Sequence, residues 1–381
     1  MDFDLSQEHK LLQSSVRDFV EKEIRPLAIQ IDEQHRIPDE LVAKMGAMGL
    51  LGSYLPEAYG GAELDILSYA IAVEEVSKAC ASSGILISAH TSLACDPILQ
   101  FGSETQKQRW LPDLAAGKKI GCFLLTEPEA GSDPAGLSSL YRREGNDFVI
   151  KGTKFFITNG GFLGTGILFA TKDRGLKHKG LSAFIVDLSS PGVEVMRNES
   201  KLGIRGSYTT DFALNELRLP AENLLGAEGQ GFKIAMETLN GGRIGVAAQA
   251  LGIAEGAFER SLAYSKIRKQ FGSPISEFQA IQFKLADMYA RIEASKLLTY
   301  RSAWLKQNKK PYAADSALSK LHASETATYV TKEAVQIHGG YGYITEYEVE
   351  RMYRDAKITE IYEGTSEVQR LVIARALLAG G

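Results

Sequence analysis

The runs Ile167-Leu168-Phe169-Ala170-Thr171 and Ser182-Ala183-Phe184-Ile185-Val186-Asp187 decide the fold class of this chain. Both are short, apolar and rich in β-branched or aromatic residues, the pattern of strands joined by glycine turns. Similar runs surround them between Lys119 and Leu225: Gly121 to Leu125, Phe148 to Ile150, Phe155 to Thr158, Val193 to Met196 and Asp211 to Leu219. No helical segment alternates with them. The spacing therefore predicts about six or seven strands in an antiparallel sandwich or barrel, not βαβ units.

On either side of this region the apolar period becomes helical. Upstream it appears at Leu12, Val16, Phe19 and Val20, and again at Leu67, Ile71, Val73 and Val76. Pro38, Pro56 with Tyr59-Gly60-Gly61, and Pro97 fall between the periodic stretches, where they break helices and seat turns. Downstream, Phe232 to Lys266, Phe278 to Gln307, Tyr312 to Ile337 and Val368 to Leu378 predict a four-helix bundle. The expectation is an α+β multidomain chain: an N-terminal helical unit over 1–118, a β-unit over 119–225 and a helical bundle over 226–381. More than one unit is also expected from the length of 381 residues, because single cores seldom grow beyond roughly 250 to 300 residues.

Bulk properties exclude several classes. With 43 Lys and Arg against 47 Asp and Glu the formal charge is −4, so nothing draws the chain as a whole to nucleic acid or an anionic membrane. At 44% hydrophobic and 24% charged residues it has an ordinary globular composition, and no apolar run approaches the ~18 residues of a membrane span. Met1-Asp2-Phe3-Asp4-Leu5 is acidic where a leader would be basic, which gives a cytoplasmic expectation, or the mitochondrial matrix if a transit peptide has been removed. Cys80, Cys95 and Cys122 contain no CxxC pair and read as buried thiols, with no disulfide or metal site expected.

Chemistry concentrates near the C-terminus, in Ile361-Tyr362-Glu363-Gly364-Thr365-Ser366-Glu367-Val368-Gln369-Arg370. Ser366 and Gln369 have capping-box spacing, so a helix is expected to start there, with Gly364 freeing the chain to turn. Glu363 then stands just ahead of a helix N-terminus, whose free N–H groups favour anions. Taken alone, such a Glu is an exposed acid. Elsewhere, Asn240-Gly241-Gly242-Arg243 places adjacent glycines in a helical stretch, at about 1 kcal/mol each relative to alanine. Arg268 offers a fork suited to a pyrophosphate, with Phe271 able to pack beside it. Gln336-Ile337-His338-Gly339-Gly340 also reads as a helix end with its glycine cap.

Together with Leu125-Thr126-Glu127-Pro128-Glu129-Ala130-Gly131-Ser132-Asp133 and Phe156-Ile157-Thr158-Asn159-Gly160-Gly161, these segments resemble, in order and along essentially the whole chain, the motifs of the acyl-CoA dehydrogenase family, and within it the short-chain, butyryl-type members. The resemblance implies FAD as cofactor, a short acyl-CoA as substrate and Glu363 as the base that removes its α-proton while the β-hydride leaves for flavin N5. It implies that Phe123, Leu125, Thr126, Gly131, Ser132, Phe156, Ile157 and Thr158 line the flavin, with Thr365, Ser366 and Glu367 also at the cofactor. Arg268, Phe271, Gln279, Gln336, Ile337, His338, Gly339 and Gly340 would contact the FAD of a neighbouring subunit. Ser132, Asn240, Arg243, Tyr362 and Gly364 would meet the acyl-CoA. The Glu363 backbone N–H, with the flavin ribityl 2′-hydroxyl, would receive the thioester oxygen.

The same resemblance implies electron-transfer flavoprotein as electron acceptor and a homo-oligomer, at least a dimer and commonly a tetramer. Phe156 stands where many relatives carry Trp, and Asn240 where many carry Asp. Gly242 occupies the position at which isovaleryl-type and long-chain relatives place their base, which leaves Glu363 here. Competing readings are a dehydrogenase of branched, cyclic or dicarboxylic acyl-CoA, a flavin or nitroalkane oxidase on the same fold, and a non-enzymatic scaffold. No Lys or Arg lies between Lys78 and Lys107, where glutaryl-type relatives supply a cation. The Asn159-Gly160 pair is expected to form a hairpin turn.

Overall fold

A computed structural model describes residues 4–379; Met1 to Phe3, on which most of the leader argument rests, and Gly380-Gly381 lie outside the described residues. Seven helices come first: α1 (Gln7–Phe19), α2 (Ala28–Gln34), α3 (Asp39–Ala47), α4 (Ile66–Ala79), α5 (Ala81–Ala89), α6 (Asp96–Phe101) and α7 (Glu104–Ala115). Then follow β1 (Gly121–Leu124), β2 (Leu140–Glu144), β3 (Asp147–Thr158), β4 (Thr165–Thr171), β5 (Leu181–Asp187), β6 (Val193–Asn198), β7 (Thr209–Pro220) and β8 (Leu224–Leu225). After them come α8 (Gly231–Ile267), a small hairpin of β9 (Lys269–Gln270) and β10 (Ser273–Pro274), α9 (Gln279–Gln307), α10 (Ala313–His338), α11 (Val349–Ala356) and α12 (Ser366–Leu378). The helical, β, helical order is the expected one. Among the described residues no helix is long and apolar enough to cross a membrane.

The sheet runs β6-β7-β3-β2-β4-β5-β8, with β1 added beside β4. Most pairs are antiparallel, but β1 pairs β4 in parallel and β2 meets β4 in parallel at Leu140 and Thr171, so the sheet is mixed. Alternation explains why β4 and β5 read as unbroken apolar runs: both faces are covered. Leu168, Ala170, Phe184 and Val186 join Cys122, Leu124, Phe148, Ile150 and Phe212 in one core. Their neighbours Ile167, Phe169, Ala183 and Ile185 pack with Ile98 of α6, Leu111 of α7 and Ile234 of α8.

Three local expectations are corrected. Phe148 to Ile150 and Phe155 to Thr158 are one bulged strand, β3. The polar strand β2, with only Tyr141 of its residues buried, and the two-residue β8 gave no apolar run to read. Asn159-Gly160 is not a hairpin, because β3 pairs with β7 and β2, never with β4. Instead Asn159, at φ 65°, turns its amide inward to donate to the carbonyls of Leu86 (3.2 Å) and Gly121 (3.1 Å).

Helix α8 is the axis of the C-terminal half, packing most extensively against α10 and also against α9, α4 and α5. Its Ile244 and Ala248 share a core with Tyr69, Val73 and Val76 of α4. The outer helical regions are therefore joined by one interior. All three cysteines are buried and free.

Candidate active site

Glu363 lies on a two-residue left-handed turn, at φ 53° with Gly364 at φ 96°. For a glutamate that conformation is uncommon, and it is held only where surrounding contacts over-determine it. The contacts come from two helices. Lys320 of α10 donates from Nζ to the Gly364 carbonyl at 2.7 Å. Gln369 of α12 donates from Nε2 to the same carbonyl at 2.7 Å and to the Glu363 carbonyl at 3.2 Å. Gln369 thus does not close a capping box: the N-cap is Thr365, one residue before Ser366, and its side chain accepts from the Val368 N–H. The helix start was legible but its cap was not, since Thr and Ser are interchangeable there by type.

The Glu363 carboxylate rests on α8. A Cβ added at Gly242 would stand 2.1 Å from Glu363 Oε2 and 2.7 Å from Leu93 Cδ2, and one added at Gly241 would stand 2.7 Å from Lys306 Nζ. Both helix-weakening glycines therefore make room, the first for the carboxylate and the second for a buried Lys306–Asp96 ion pair at 2.9 Å. Arg243, one residue on, is buried and bonds Asn240 Oδ1 at 2.7 Å, while its Nε has no partner. The Tyr362 hydroxyl donates to the Gln249 side-chain carbonyl, and that buried amide donates to the Ala81 carbonyl at 2.9 Å.

As a residue Glu363 keeps part of its surface, yet Oε2 is wholly enclosed and has no hydrogen-bond partner among the described residues. Burial raises its pKa to about 7, against the opposing pull of Lys320 and Arg243. The Glu363 backbone N–H also finds no acceptor among the described residues. Ser366 Oγ and Gln369 Oε1 are orphaned beside it. Buried polar atoms are normally satisfied, so this concentration marks a place where something else binds.

A second group of predicted residues converges from β1 and β3. Phe155 N–H donates to the Thr126 carbonyl at 2.9 Å and Lys154 Nζ to the Leu125 carbonyl at 3.3 Å, which brings the loop after β1 against the end of β3. Leu125 and Ile157 are buried, Phe123, Thr126 and Thr158 are half-buried, and Gly131 and Ser132 are exposed. Phe156 is held at φ 59° with its N–H on Asp211 (2.9 Å), and the residue is 58% exposed. An aromatic face left in water near the Thr126 and Thr158 hydroxyls, which with that of Ser132 have no hydrogen-bond partner among the described residues, fits a planar cofactor with polar edges.

The third group surrounds a separate pocket of 490 Å³ lined by Tyr264, Arg268, Ile337, His338, Gly339 and Gly340 among others, and by none of the residues of the first two groups. His338 is buried, stacks on Tyr264 at 4.3 Å and places Nδ1 2.8 Å from the Ala334 carbonyl; Gly339 ends α10 at φ 62°. Arg268 lies over Tyr341 at 5.4 Å. Phe271 sits at φ 51° on the β9–β10 turn, is 97% exposed and stands edge-on to Phe278 with ring centroids 6.2 Å apart. Gln279 and Gln336 are exposed, as is Glu367, while Thr365 is half-buried.

The sequence reading passed over Lys320, Gln369 as a tether, Gln249 and Leu93. Lys320 carried a usable signal, because it occupies the buried stripe Ser316, Ala317, Ser319, Lys320, Ala323, Ser324, Ala327 of a helix, where a lysine has no ordinary reason to be.

Comparison with known proteins gives the same account for the whole chain. Models of the N-terminal, middle and C-terminal domains of acyl-CoA dehydrogenase match residues 6–118, 122–217 and 229–378. The chain is similar to the mitochondrial short-chain specific acyl-CoA dehydrogenase of Homo sapiens, at 51% identity over 98% of this chain and 91% of that protein. Among solved structures it is similar to butyryl-CoA dehydrogenase from Megasphaera elsdenii, with TM-score 0.97 and 47% identity over 99% of this chain and 100% of the other. A chain from a structure described as the electron transferring flavoprotein of Acidaminococcus fermentans matches with TM-score 0.98 and 48% identity, again over 99% and 100%. Similarity of this extent, with an enclosed carboxylate on the turn ahead of the last helix, means that the chain belongs to the acyl-CoA dehydrogenase family and is an FAD-dependent oxidoreductase.

Proposed function

We propose that this protein converts a short-chain acyl-CoA to the trans-2-enoyl-CoA, with Glu363 taking the α-proton. The observation that carries the reading is the Glu363 carboxylate itself, enclosed against Gly242 with an unpartnered Oε2 and a pKa raised to about 7 by burial. A base poised near neutral pH is suited to accept a proton and not merely to pair with a cation. The α-proton of a thioester is too weakly acidic to leave unless the developing enolate oxygen is stabilised. The free Glu363 N–H is the donor this chain supplies for that oxygen. Asn240, Arg243, Tyr362, Gly364 and Ser132 hold the acyl-CoA.

FAD, when bound, supplies the acceptor for the β-hydride. Phe123, Leu125, Thr126, Gly131, Ser132, Phe156, Ile157 and Thr158 hold it, with Thr365, Ser366 and Glu367 beside them. Arg268, Phe271, Gln279 and the Gln336–Gly340 segment serve the FAD of a neighbouring subunit in a homotetramer. The chain is organised in units 1–118, 119–225 and 226–381 and works in the cytoplasm. Support for a short acyl chain and for electron-transfer flavoprotein as acceptor comes from the names of the similar proteins. The test is Glu363→Gln in the holoenzyme. It keeps yellow, FAD-loaded protein and butyryl-CoA binding and loses about 10³-fold or more in kcat, the scale of general-base catalysis; wild-type turnover in that variant removes Glu363 from the reaction. A stopped-flow survey of flavin bleaching over straight, branched, cyclic and dicarboxylic acyl-CoAs fixes the substrate class, and a fastest rate with a branched or dicarboxylic chain overturns the short straight-chain assignment.

A further inference from the structure

We propose that Lys320 is the positioning residue of the active-site turn: it fixes the Glu363 backbone through the Gly364 carbonyl and favours the Glu363 anion by its charge. The proposal rests on Glu363 being the base.

Lys320 is 0% exposed, on the third turn of α10. A lysine removed from water is costly unless a specific interaction offsets it. Its recorded hydrogen bond is to the Gly364 carbonyl, and among the described residues it forms no salt bridge. Simple satisfaction of that carbonyl does not explain it, since Gln369 Nε2 already donates there at 2.7 Å. What the ammonium adds to the amide is a positive charge one residue from the carboxylate. Had it paired with Glu363 directly, the carboxylate would be tied down and its proton affinity would fall below the useful range. Placed on the next carbonyl, it attracts the anion from a distance and leaves Oε2 free.

The charged and titratable groups around Glu363 and Lys320 come from several elements: Arg243 on α8, Tyr69 on α4, Glu360 and Tyr362 on the segment before the turn, and Glu367 on α12. Arg243 is the other cation acting on Glu363, and the weaker of the two, so removing Lys320 takes away the larger attraction and leaves the smaller in place. Burial, with Arg243 adding to it, pulls Lys320 down to about 8. The productive pair is Glu363 ionised with Lys320 protonated, so Glu363 sets the acid limb and Lys320 the alkaline limb.

The experiment compares wild-type, Lys320→Met, Lys320→Gln and Glu363→Gln holoenzymes with butyryl-CoA, reading FAD content, KM, kcat and the pH profile of kcat. Lys320→Met is expected to keep its FAD, to change KM by less than about threefold, and to lose about 10- to 100-fold in kcat, as a misplaced catalytic group does. Its acid limb moves to higher pH and its alkaline limb weakens. Lys320→Gln keeps a donor without the charge, so it regains part of kcat while its acid limb stays displaced. Unchanged kcat and limbs in Lys320→Met overturn the proposal. So does loss of FAD or of folded protein in both Lys320 variants, which would make the lysine a structural prop. An inactive Glu363→Gln beside a wild-type-like Lys320→Met removes only the role of Lys320, whereas an active Glu363→Gln removes the base.

Discussion

Glu127, on the loop after β1, accepts hydrogen bonds from Lys154 Nζ (2.6 Å), Ser138 N–H and Oγ (2.6 Å each) and Ser139 N–H (3.1 Å). Glu363, on the turn before α12, has an enclosed oxygen that accepts none. Burial acts on both in the same direction. At Glu127 the Lys154 charge and the surrounding donors outweigh it and hold the carboxyl below its ordinary value. At Glu363 burial prevails and the value rises to about 7. One carboxylate is spent on architecture, fastening the Leu125–Ser132 loop to β3, and the other is kept free to take a proton. The difference lies in the partners and in how deeply each carboxyl is enclosed, since the residue type is the same.

Breaking the satisfied pair should have the largest effect. Glu127→Ala leaves Lys154 fully buried without its counter-charge, and breaking a buried pair costs about 3 to 5 kcal/mol, so urea unfolding should show a far lower midpoint together with weakened FAD retention. A midpoint near wild type would mean that the two carboxylates differ less than their surroundings suggest. Gly242→Ala attacks the other side: its methyl meets Glu363 Oε2 and Leu93, so kcat should fall about 100-fold, or about 2.7 kcal/mol in the barrier, while the urea midpoint moves little.

The pH dependence sharpens the comparison further. With a raised value in the folded state, Glu363 must be deprotonated to work, so kcat falls on acidification below about 7, by about tenfold per pH unit at the limiting slope. The stability sign follows the same shift. The folded state holds this proton more tightly than the unfolded chain, so the Glu363 contribution to stability is lost as pH rises from the ordinary carboxylate range through about 7. Glu363→Gln should therefore melt higher than wild type at pH 8, and the gap should close at pH 4. Glu127, depressed in the fold, works in the opposite sense, and its stabilisation disappears only under acid. The smallest effect belongs to Thr365→Ala, which removes the N-cap of α12 at a cost of about 1 kcal/mol, visible as faster hydrogen exchange at Val368 with a modest loss of kcat.

The four long C-terminal helices and the strands β4, β5 and β7 were legible because burial imposes a period on neighbouring residues. Glu363 was legible for a different reason: the segment that carries it resembles a family motif, and the turn glycine Gly364 stands next to it. What escaped was set by partners distant in sequence. β2 is polar and is a strand because β3 pairs with it along its length and β4 meets its first residue. Asn159 follows a strand and precedes glycine, yet its amide is spent on Leu86 and Gly121, so no hairpin forms. The two α8 glycines looked like a helix defect until Glu363 and Lys306 were seen filling the space.

By itself, the sequence determined the kinds of elements, their order and which residue types could do chemistry, because those depend on neighbours along the chain. Only the tertiary structure decided that Glu363 stays unpaired while Glu127 is fully bonded, and that Lys320 reaches the carbonyl next to the base. Proton affinity in a folded chain is set by burial and by charges brought close through space, and no local pattern encodes that distance.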